Sequence, residues 1–142
     1  IILSVIMSEF RPCFLQIVTS ADGEESSFSA KGEMALTSLS AILRCRQGEG
    51  VVSLSIASDG VRVEREGDYL LRLGFAEGKV YPGVLSLGGA EGRVETHTHR
   101  LGYSVGENSV LLSMKYTLCF DSGKQEMNLR LYAQGINNPE EK

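Results

Sequence analysis

Apolar and polar residues alternate along most of this chain, most clearly between Val110 and Asp121. Side chains of a β-strand point alternately to opposite faces. One face of this stretch is apolar throughout: Val110, Leu112, Met114, Tyr116, Leu118 and Phe120. The other face is mostly polar, and its middle carries Lys115, Thr117 and Cys119. The pattern predicts a long core strand that buries one face and leaves Lys115 and Thr117 at the surface.

The same two-residue period returns in short segments that are separated by turn signals. Asp-Gly pairs at 22–23 and 59–60 and a Gly-Gly pair at 88–89 are typical of tight turns. The segments that we predict as strands are 13–20, 27–35, 36–47, 52–56, 61–64, 69–75, 80–87, 101–105, 110–121 and 127–133. Many short strands joined by short turns indicate an all-β domain.

Residues 36–47 are the ambiguous segment. Leu36, Leu39 and Leu43 have the spacing of a helical stripe, and Gly48 follows as a helix cap would. The same residues from Leu39 to Cys45 also alternate as a strand. We favour the strand because the segments on both sides have a period of two.

Three residues predict irregularities in the strands. Pro12 lacks a backbone donor, so we expect regular pairing to begin after it. Gly32 interrupts its strand and suggests a bulge. Pro82 suggests that its strand lies at an edge or is bulged.

These elements predict an antiparallel meander of about 8–10 strands. A meander of this length exposes two edges unless it closes, so a β-barrel is favoured over a sandwich. We expect one barrel domain over residues 13–134 and a flexible polar tail over residues 135–142. Residues 1–12 are interpreted as an N-terminal extension, which is either a remnant of cloning or an extra strand.

Composition narrows the classes of function. The 14 basic and 18 acidic residues are scattered and give a net charge of −4, which argues against nucleic-acid binding. The apolar run at residues 1–7 is too short to cross a bilayer, so no membrane association is expected. Three cysteines without a CxxC pair favour free thiols in a reducing compartment, and we expect a cytoplasmic protein.

A diffuse motif covers the middle of the chain. It reads Val61-x-Val63-x-Arg65-x-Gly67, then Phe75-x-x-Gly78, then Gly92 and Thr98, followed by the strand that contains Tyr116. In this order and spacing the chain resembles the YwiB-like family of small bacterial proteins of unknown function over about residues 13–134. The resemblance implies a calycin-like (lipocalin-like) β-barrel and a bacterial, cytoplasmic context. It implies no catalytic residues.

Arg65 is the main candidate for a ligand site. It shares the inward face of Val61 and Val63, where a charge must be paired or must serve an anionic ligand. The interpretation that we favour is more ordinary: the Arg65 side chain reaches water from a strand end or bonds an internal Asp or Glu. Arg72, Thr98 and Tyr116 complete the candidate ligand-binding set.

Histidine and cysteine residues provide weaker candidates. His97 and His99 share a strand face, and Glu95 is the one further ligand that we identify there, so a solvated face is favoured over a metal site. Cys119 is the cysteine worth testing as a nucleophile, because Cys13 and Cys45 lie in apolar alternations. We therefore predict no metal and no cofactor.

Two functions remain open. The first is a binding module that holds a small apolar or anionic ligand, which the closed barrel and Arg65 motivate. The second is a protein-interaction or structural module, acting as a homodimer with a filled barrel. We expect no enzymatic activity, because no catalytic set or phosphate-binding loop is found.

Overall fold

The computed structural model describes residues 10–136, and these form ten strands. The expectations for residues 1–9 and 137–142 lie outside the described residues. The first five strands are β1 (Arg11–Ala21), β2 (Glu24–Leu36), β3 (Ala41–Gln47), β4 (Gly50–Ala57) and β5 (Gly60–Glu66). The other five are β6 (Tyr69–Phe75), β7 (Val80–Leu87), β8 (Ala90–Val105), β9 (Ser109–Phe120) and β10 (Gly123–Gly135).

The ten strands form a closed antiparallel barrel. Each strand pairs with the next in sequence, and β1 pairs with β10 to close the sheet. Closure leaves no free sheet edge, as the meander argument requires. The predicted all-β meander barrel is confirmed. No helix long and apolar enough to cross a bilayer occurs between residues 10 and 136.

The strand β1 begins earlier than the sequence predicts. Arg11 and Pro12 already pair with Met34 and Glu33 of β2. Pro12 lacks a donor, but its carbonyl accepts a hydrogen bond from the amide of Ile136. The expected break at Pro12 is therefore wrong, because a proline can still contribute its acceptor at the start of a strand.

The ambiguous segment 36–47 is divided by a turn. Leu36 is the last residue of β2, and Ala41–Gln47 forms β3, so the strand interpretation holds for the second half. Thr37 closes the turn by accepting hydrogen bonds at its Oγ1 from the amides of Leu39 and Ser40. This turn places Leu39 outside at 72% exposure, which explains why it does not continue the alternation.

The strand β2 has no bulge at Gly32. Gly32 pairs in regular register with Cys13 of β1 and with Cys45 of β3. A Cβ at this position would lie 2.2 Å from the carbonyl oxygen of Arg44 and 3.0 Å from the Cβ of Cys45. The glycine is therefore present because two strands approach it closely, not because the strand is irregular.

Gly32→Ala should lower the free energy of unfolding by about 1–3 kcal/mol, as overpacking in a core typically does. The clash is with backbone, which cannot move away as a flexible side chain can. Gly102→Ala is the matched control, because a Cβ there would meet nothing within 4 Å. Urea unfolding of both variants measures the difference. Equal stability of the two would contradict the close approach at Gly32.

The irregularity in the sheet lies in β8 instead. The register between β8 and β9 shifts between Thr98 and Arg100, which marks a bulge. Pro82 lies in the half of β7 that pairs with β8 alone, because β6 pairs only with residues 84–87 of β7. Because the barrel is closed, the expected edge position is wrong, and Pro82 lies instead in the part of β7 that has no partner on β6.

Side chains occupy the barrel interior. The largest fully buried residues come from strands around the whole barrel: Phe75, Leu15, Met34, Leu43, Ile56, Met114 and Leu131. Phe75 packs edge-to-face on Tyr116 with ring centroids 4.7 Å apart. These residues belong to one contiguous cluster. The interior is thus built as a packed core, which is one of the two ways in which a small barrel is filled.

Candidate functional site

Two of the predicted site residues, Thr98 and Tyr116, lie together inside the barrel. They are cross-strand partners on β8 and β9, and they are 3% and 4% exposed. Burial raises the pKa of the Tyr116 phenol to about 12, so this side chain is neutral. The Oγ1 of Thr98 is buried without a hydrogen-bond partner within the described part of the chain. This interior pair is polar but tightly enclosed.

Arg65 is buried at one end of the barrel and makes three hydrogen bonds there. Its Nε donates to Gln47 Oε1 at 3.1 Å, and its Nη2 donates to the Gln47 carbonyl at 3.0 Å. Its Nη1 donates to Asp68 Oδ1 at 2.7 Å, and its Cζ lies 4.1 Å from the centroid of the Tyr69 ring. The favoured interpretation that Arg65 reaches water is wrong, because three hydrogen bonds hold the guanidinium at 6% exposure.

The neighbours of Arg65 are shaped to receive it. A Cβ on Gly50 would lie 2.5 Å from the Arg65 Cζ, so the guanidinium occupies the space above this glycine. The hydrogen bond from Arg65 is the main reason why the pKa of the exposed Asp68 carboxyl is lowered. Arg65 is thus bonded to an Asp, but this Asp is exposed and not internal as the alternative interpretation expected.

Arg72 does not join the interior site. Its side chain is 52% exposed on the outer wall, where its Nε lies 3.4 Å from Glu64 Oε2. The two arginines that bracket the β5–β6 hairpin therefore have different environments, because residues 65 and 72 point to opposite faces of the sheet. Of the four predicted ligand-binding residues, only Thr98 and Tyr116 are brought together.

A largely apolar groove lies on the outer wall of β1, β10, β9 and β8. Its volume is about 530 Å³, within the range of small-molecule sites. We call it the outer groove, and these residues line it: Gln16, Val18, Gly102, Tyr103, Ser104, Leu111, Leu112, Ser113, Arg130, Leu131 and Tyr132. The sequence analysis did not identify this surface.

Strand register explains the shape of the outer groove. One cross-strand row places Tyr132 beside Leu111, and both side chains stand exposed on the wall, at 41% and 52%. The next row places Ser113 between Arg130 and Gly102. Ser113 and Gly102 are small, and the Tyr132–Leu111 row beside them is large, so a depression forms next to that row. Tyr132 and Leu111 give the depression an apolar side, and Arg130 gives it a positively charged end.

Arg130 provides the positive charge of the outer groove. Its Nη2 lies 3.5 Å from Glu25 Oε2, and the two side chains are 68% and 63% exposed. An exposed pair of this kind contributes little to stability, so the guanidinium can exchange Glu25 for another anion at low cost. The arrangement can bind an apolar chain along Tyr132 and Leu111 and an acidic head at Arg130.

The histidines lie on the outer wall of β8, as predicted, but they have different partners. His97 Nε2 lies 3.1 Å from Glu95 Oε1. His99 Nε2 lies 2.7 Å from Thr117 Oγ1, and this hydroxyl donates to Glu126 at 3.0 Å. Thr117 is consequently only 7% exposed. The expectation that Thr117 is a surface residue is wrong, because His99 and Glu126 cover it.

The three cysteines are free thiols with unequal environments. Burial is the main reason why the pKa of the Cys13 thiol is raised to about 11, and burial also raises the pKa of Cys45. Both are therefore small buried core residues, as expected. Cys119 is partly exposed and lies beside Glu95 and His97, with the three ligand atoms within 4.8 Å of one another.

Sequence reasoning missed the outer groove for an identifiable reason. Leu111 and Tyr132 stand on the outward faces of β9 and β10, and each alone is an ordinary exposed residue. A signal was present, because each large side chain interrupts an otherwise polar face. Only the pairing of Tyr132 with Leu111 shows that they form one surface.

Comparison with known proteins supports the fold. No family model matches the chain, and no curated protein matches it in sequence. The crystal structure of the YwiB protein from Bacillus subtilis is similar to it, with a TM-score of 0.82 at 17% sequence identity. The similarity covers 95% of this chain and 99% of that chain. The chain therefore has a YwiB-like barrel fold, which confirms the predicted resemblance at the level of fold.

Proposed function

We propose that this chain is a non-catalytic, calycin-like binding module that holds an amphipathic anion in the outer groove. The observation that carries the proposal is the placement of Arg130 at the end of a depression that Tyr132 and Leu111 flank on one side. Small-molecule sites combine an apolar lining with a few polar groups that orient the ligand. The outer groove has both features on one rigid wall of four paired strands.

The interior is a poorer site for the same ligand. Arg65 makes its hydrogen bonds to Gln47 and Asp68, so an interior anion would have to displace them. Phe75 and Tyr116 pack on each other inside the core. A ligand inside the barrel would therefore need rearrangement of packed side chains, which the outer groove does not require.

The cellular setting that we propose is the cytoplasm. Cys13, Cys45 and Cys119 are all unpaired thiols, which a reducing compartment keeps in that state. In that compartment the proposed ligand is a metabolite. The apolar side of the outer groove suits a short acyl or aryl chain, and Arg130 suits a carboxylate, sulfate or phosphate head.

Decanoate should raise the melting temperature of the protein, and decanol at the same concentration should raise it less. At a ligand concentration 100 times the Kd, linkage predicts about 2.7 kcal/mol of stabilisation. Arg130→Gln should abolish the preference for decanoate, because it removes the cation that binds the head. Differential scanning fluorimetry measures both effects.

Two further variants locate the site. Gly102→Val adds bulk to the lining of the outer groove at a position where a Cβ would meet nothing within 4 Å, so it should keep the fold and lose the decanoate response. Arg62→Gln, which removes an exposed charge from β5 on another part of the barrel, is the matched control for Arg130→Gln. An unchanged response in Gly102→Val and Arg130→Gln would refute the outer groove as the site.

A homodimer through the same wall is the second candidate function. Large apolar residues are exposed on its neighbouring strands: Phe14 at 49%, Leu111 at 52% and Tyr132 at 41%. Contiguous apolar surface of this kind is typical of an interaction site. For a dimer, the molar mass should double with increasing protein concentration and return to the monomer value in Leu111→Lys. If decanoate leaves that molar mass unchanged, the dimer is favoured over the ligand.

A further inference from the structure

A mixed set of metal-ligating side chains lies on the outer wall of β8 and β9, away from the outer groove. Glu95 is the direct cross-strand partner of Cys119, and His97 is two residues further along the same face of β8. One ligand atom from each of the three lies within 4.8 Å of the other two. The sequence alone grouped His97 with His99 and Glu95, whereas the fold brings the ligand atoms of Glu95, His97 and Cys119 together.

The donor atoms suit one class of ion. A thiolate sulfur, an imidazole nitrogen and a carboxylate oxygen are the three ligand types of Zn²⁺, which binds them at about 2.0–2.3 Å. Tetrahedral donors at those bond lengths are about 3.5 Å apart. The side chains of Glu95 and His97 are 50% and 40% exposed, so small side-chain rotations can bring the ligand atoms that much closer.

His99 contacts other residues than the proposed ligand set, so the two histidines differ in their environment. The Nε2 of His99 lies 2.7 Å from Thr117 Oγ1 and 4.0 Å from Glu126 Oε1. A bulge lies between Thr98 and Arg100, and the His99 side chain lies near Thr117 of β9 and Glu126 of β10. His97 pairs in register with Thr117, but its Nε2 lies 3.1 Å from Glu95 Oε1.

The surroundings of the set carry charges of both signs, since Arg93 and Asp121 line the same depression as Glu95 and Cys119. Val80 and Pro82 of β7 pair with His97 and Glu95 and give the set one apolar side. Lys124 of β10 pairs with Cys119 on the other side. The negative charges of Glu95 and the Cys119 thiolate together cancel those of a divalent ion, so Lys124 faces a centre with no net charge.

We propose that Glu95, His97 and Cys119 bind one divalent transition-metal ion of the zinc class. The Cys119 thiol gives up its proton to solvent as the sulfur–metal bond forms, and His97 ligates through its neutral imidazole. Three protein ligands leave the fourth tetrahedral position to water, the arrangement of open zinc sites. The site lies on the barrel wall and is independent of the anion proposed for the outer groove.

Cobalt titration of the full chain tests the site directly. We expect Co²⁺ to give a thiolate-to-metal charge-transfer band that saturates at one ion per chain and is abolished by excess Zn²⁺. Cys119→Ser should remove the band. His97→Asn should weaken binding by more than about tenfold, since even the outer partners of metal ligands typically contribute that much.

Two controls keep the test decisive. His99→Asn should bind Co²⁺ as the unmodified chain does, because His99 faces Thr117 and Glu126. In the unmodified chain, Zn²⁺ should protect Cys119 from iodoacetamide, while Cys13 and Cys45 remain unlabelled because they are buried. The absence of a charge-transfer band, of protection, or of any difference between His97→Asn and His99→Asn would overturn the proposal.

Discussion

Phe75→Ala should lower the free energy of unfolding by about 3–5 kcal/mol, the usual cost of truncating a buried aromatic residue. Phe75 is 2% exposed and packs edge-to-face on Tyr116, so truncation removes this aromatic contact and leaves a cavity in the core. The surrounding strands are tied together by the closed sheet, which limits how far the cavity can collapse. Equilibrium unfolding in urea measures the loss.

Phe14→Ala is the matched control for Phe75→Ala. The same side chain is removed, but Phe14 is 49% exposed on the outer wall of β1. Its loss should change the free energy of unfolding by about 0.5 kcal/mol or less, as surface substitutions usually do. Comparable losses at the two positions would mean that the interior around Phe75 is not packed as described.

Arg65→Met should destabilise the protein by about 2–4 kcal/mol, because it leaves the two Gln47 acceptors unpaired. The hydrophobic stem is kept, so the variant isolates the three hydrogen bonds to Gln47 and Asp68. Asp68 is exposed and can return to water, which keeps the loss below that of a fully buried ion pair. Arg72→Met, which alters an exposed pair with Glu64, should cost little.

Arg65→Met should also change how the free energy of unfolding depends on pH. The pKa of Asp68 is lowered in the folded protein by the hydrogen bond from Arg65. This carboxylate therefore stabilises the fold above the ordinary pKa range of aspartate, and its contribution is lost as the pH falls through the lowered value. The stability gap between the unmodified chain and Arg65→Met should narrow in acid. A constant gap down to low pH would show that Asp68 does not contribute.

Local patterns predicted most of the strands because a strand's alternation and its turns involve neighbouring residues; the polar first part of β8, before Leu101, was not predicted. The period of two between Val110 and Phe120 appears as inward side chains of β9. The Asp59-Gly60 turn joins β4 to β5 as its sequence indicates, with Gly60 at a φ of 140°. Alternation and turn signals are properties of consecutive residues, so a strand can be predicted without knowing which strands it pairs with.

The sites depend on strand register, which a single sequence does not reveal. Cys119 and Glu95 become neighbours only through the pairing of β8 with β9. Tyr132 and Leu111 form a surface only through the pairing of β9 with β10. Gln47 reaches Arg65 from a strand two places away in the barrel. Each of these contacts joins residues that are 18 or more positions apart, where local periodicity carries no information.

The position at which an amphipathic anion binds tests the central claim of a filled barrel with an external site. Decanoate should be titrated into ¹⁵N-labelled protein, and the amide chemical shifts followed residue by residue. We expect the largest changes at Leu111, Ser113, Arg130 and Tyr132, with Phe75 and Tyr116 unmoved. Large changes at Phe75 and Tyr116 with an unperturbed outer groove would place the ligand inside the barrel and contradict the account.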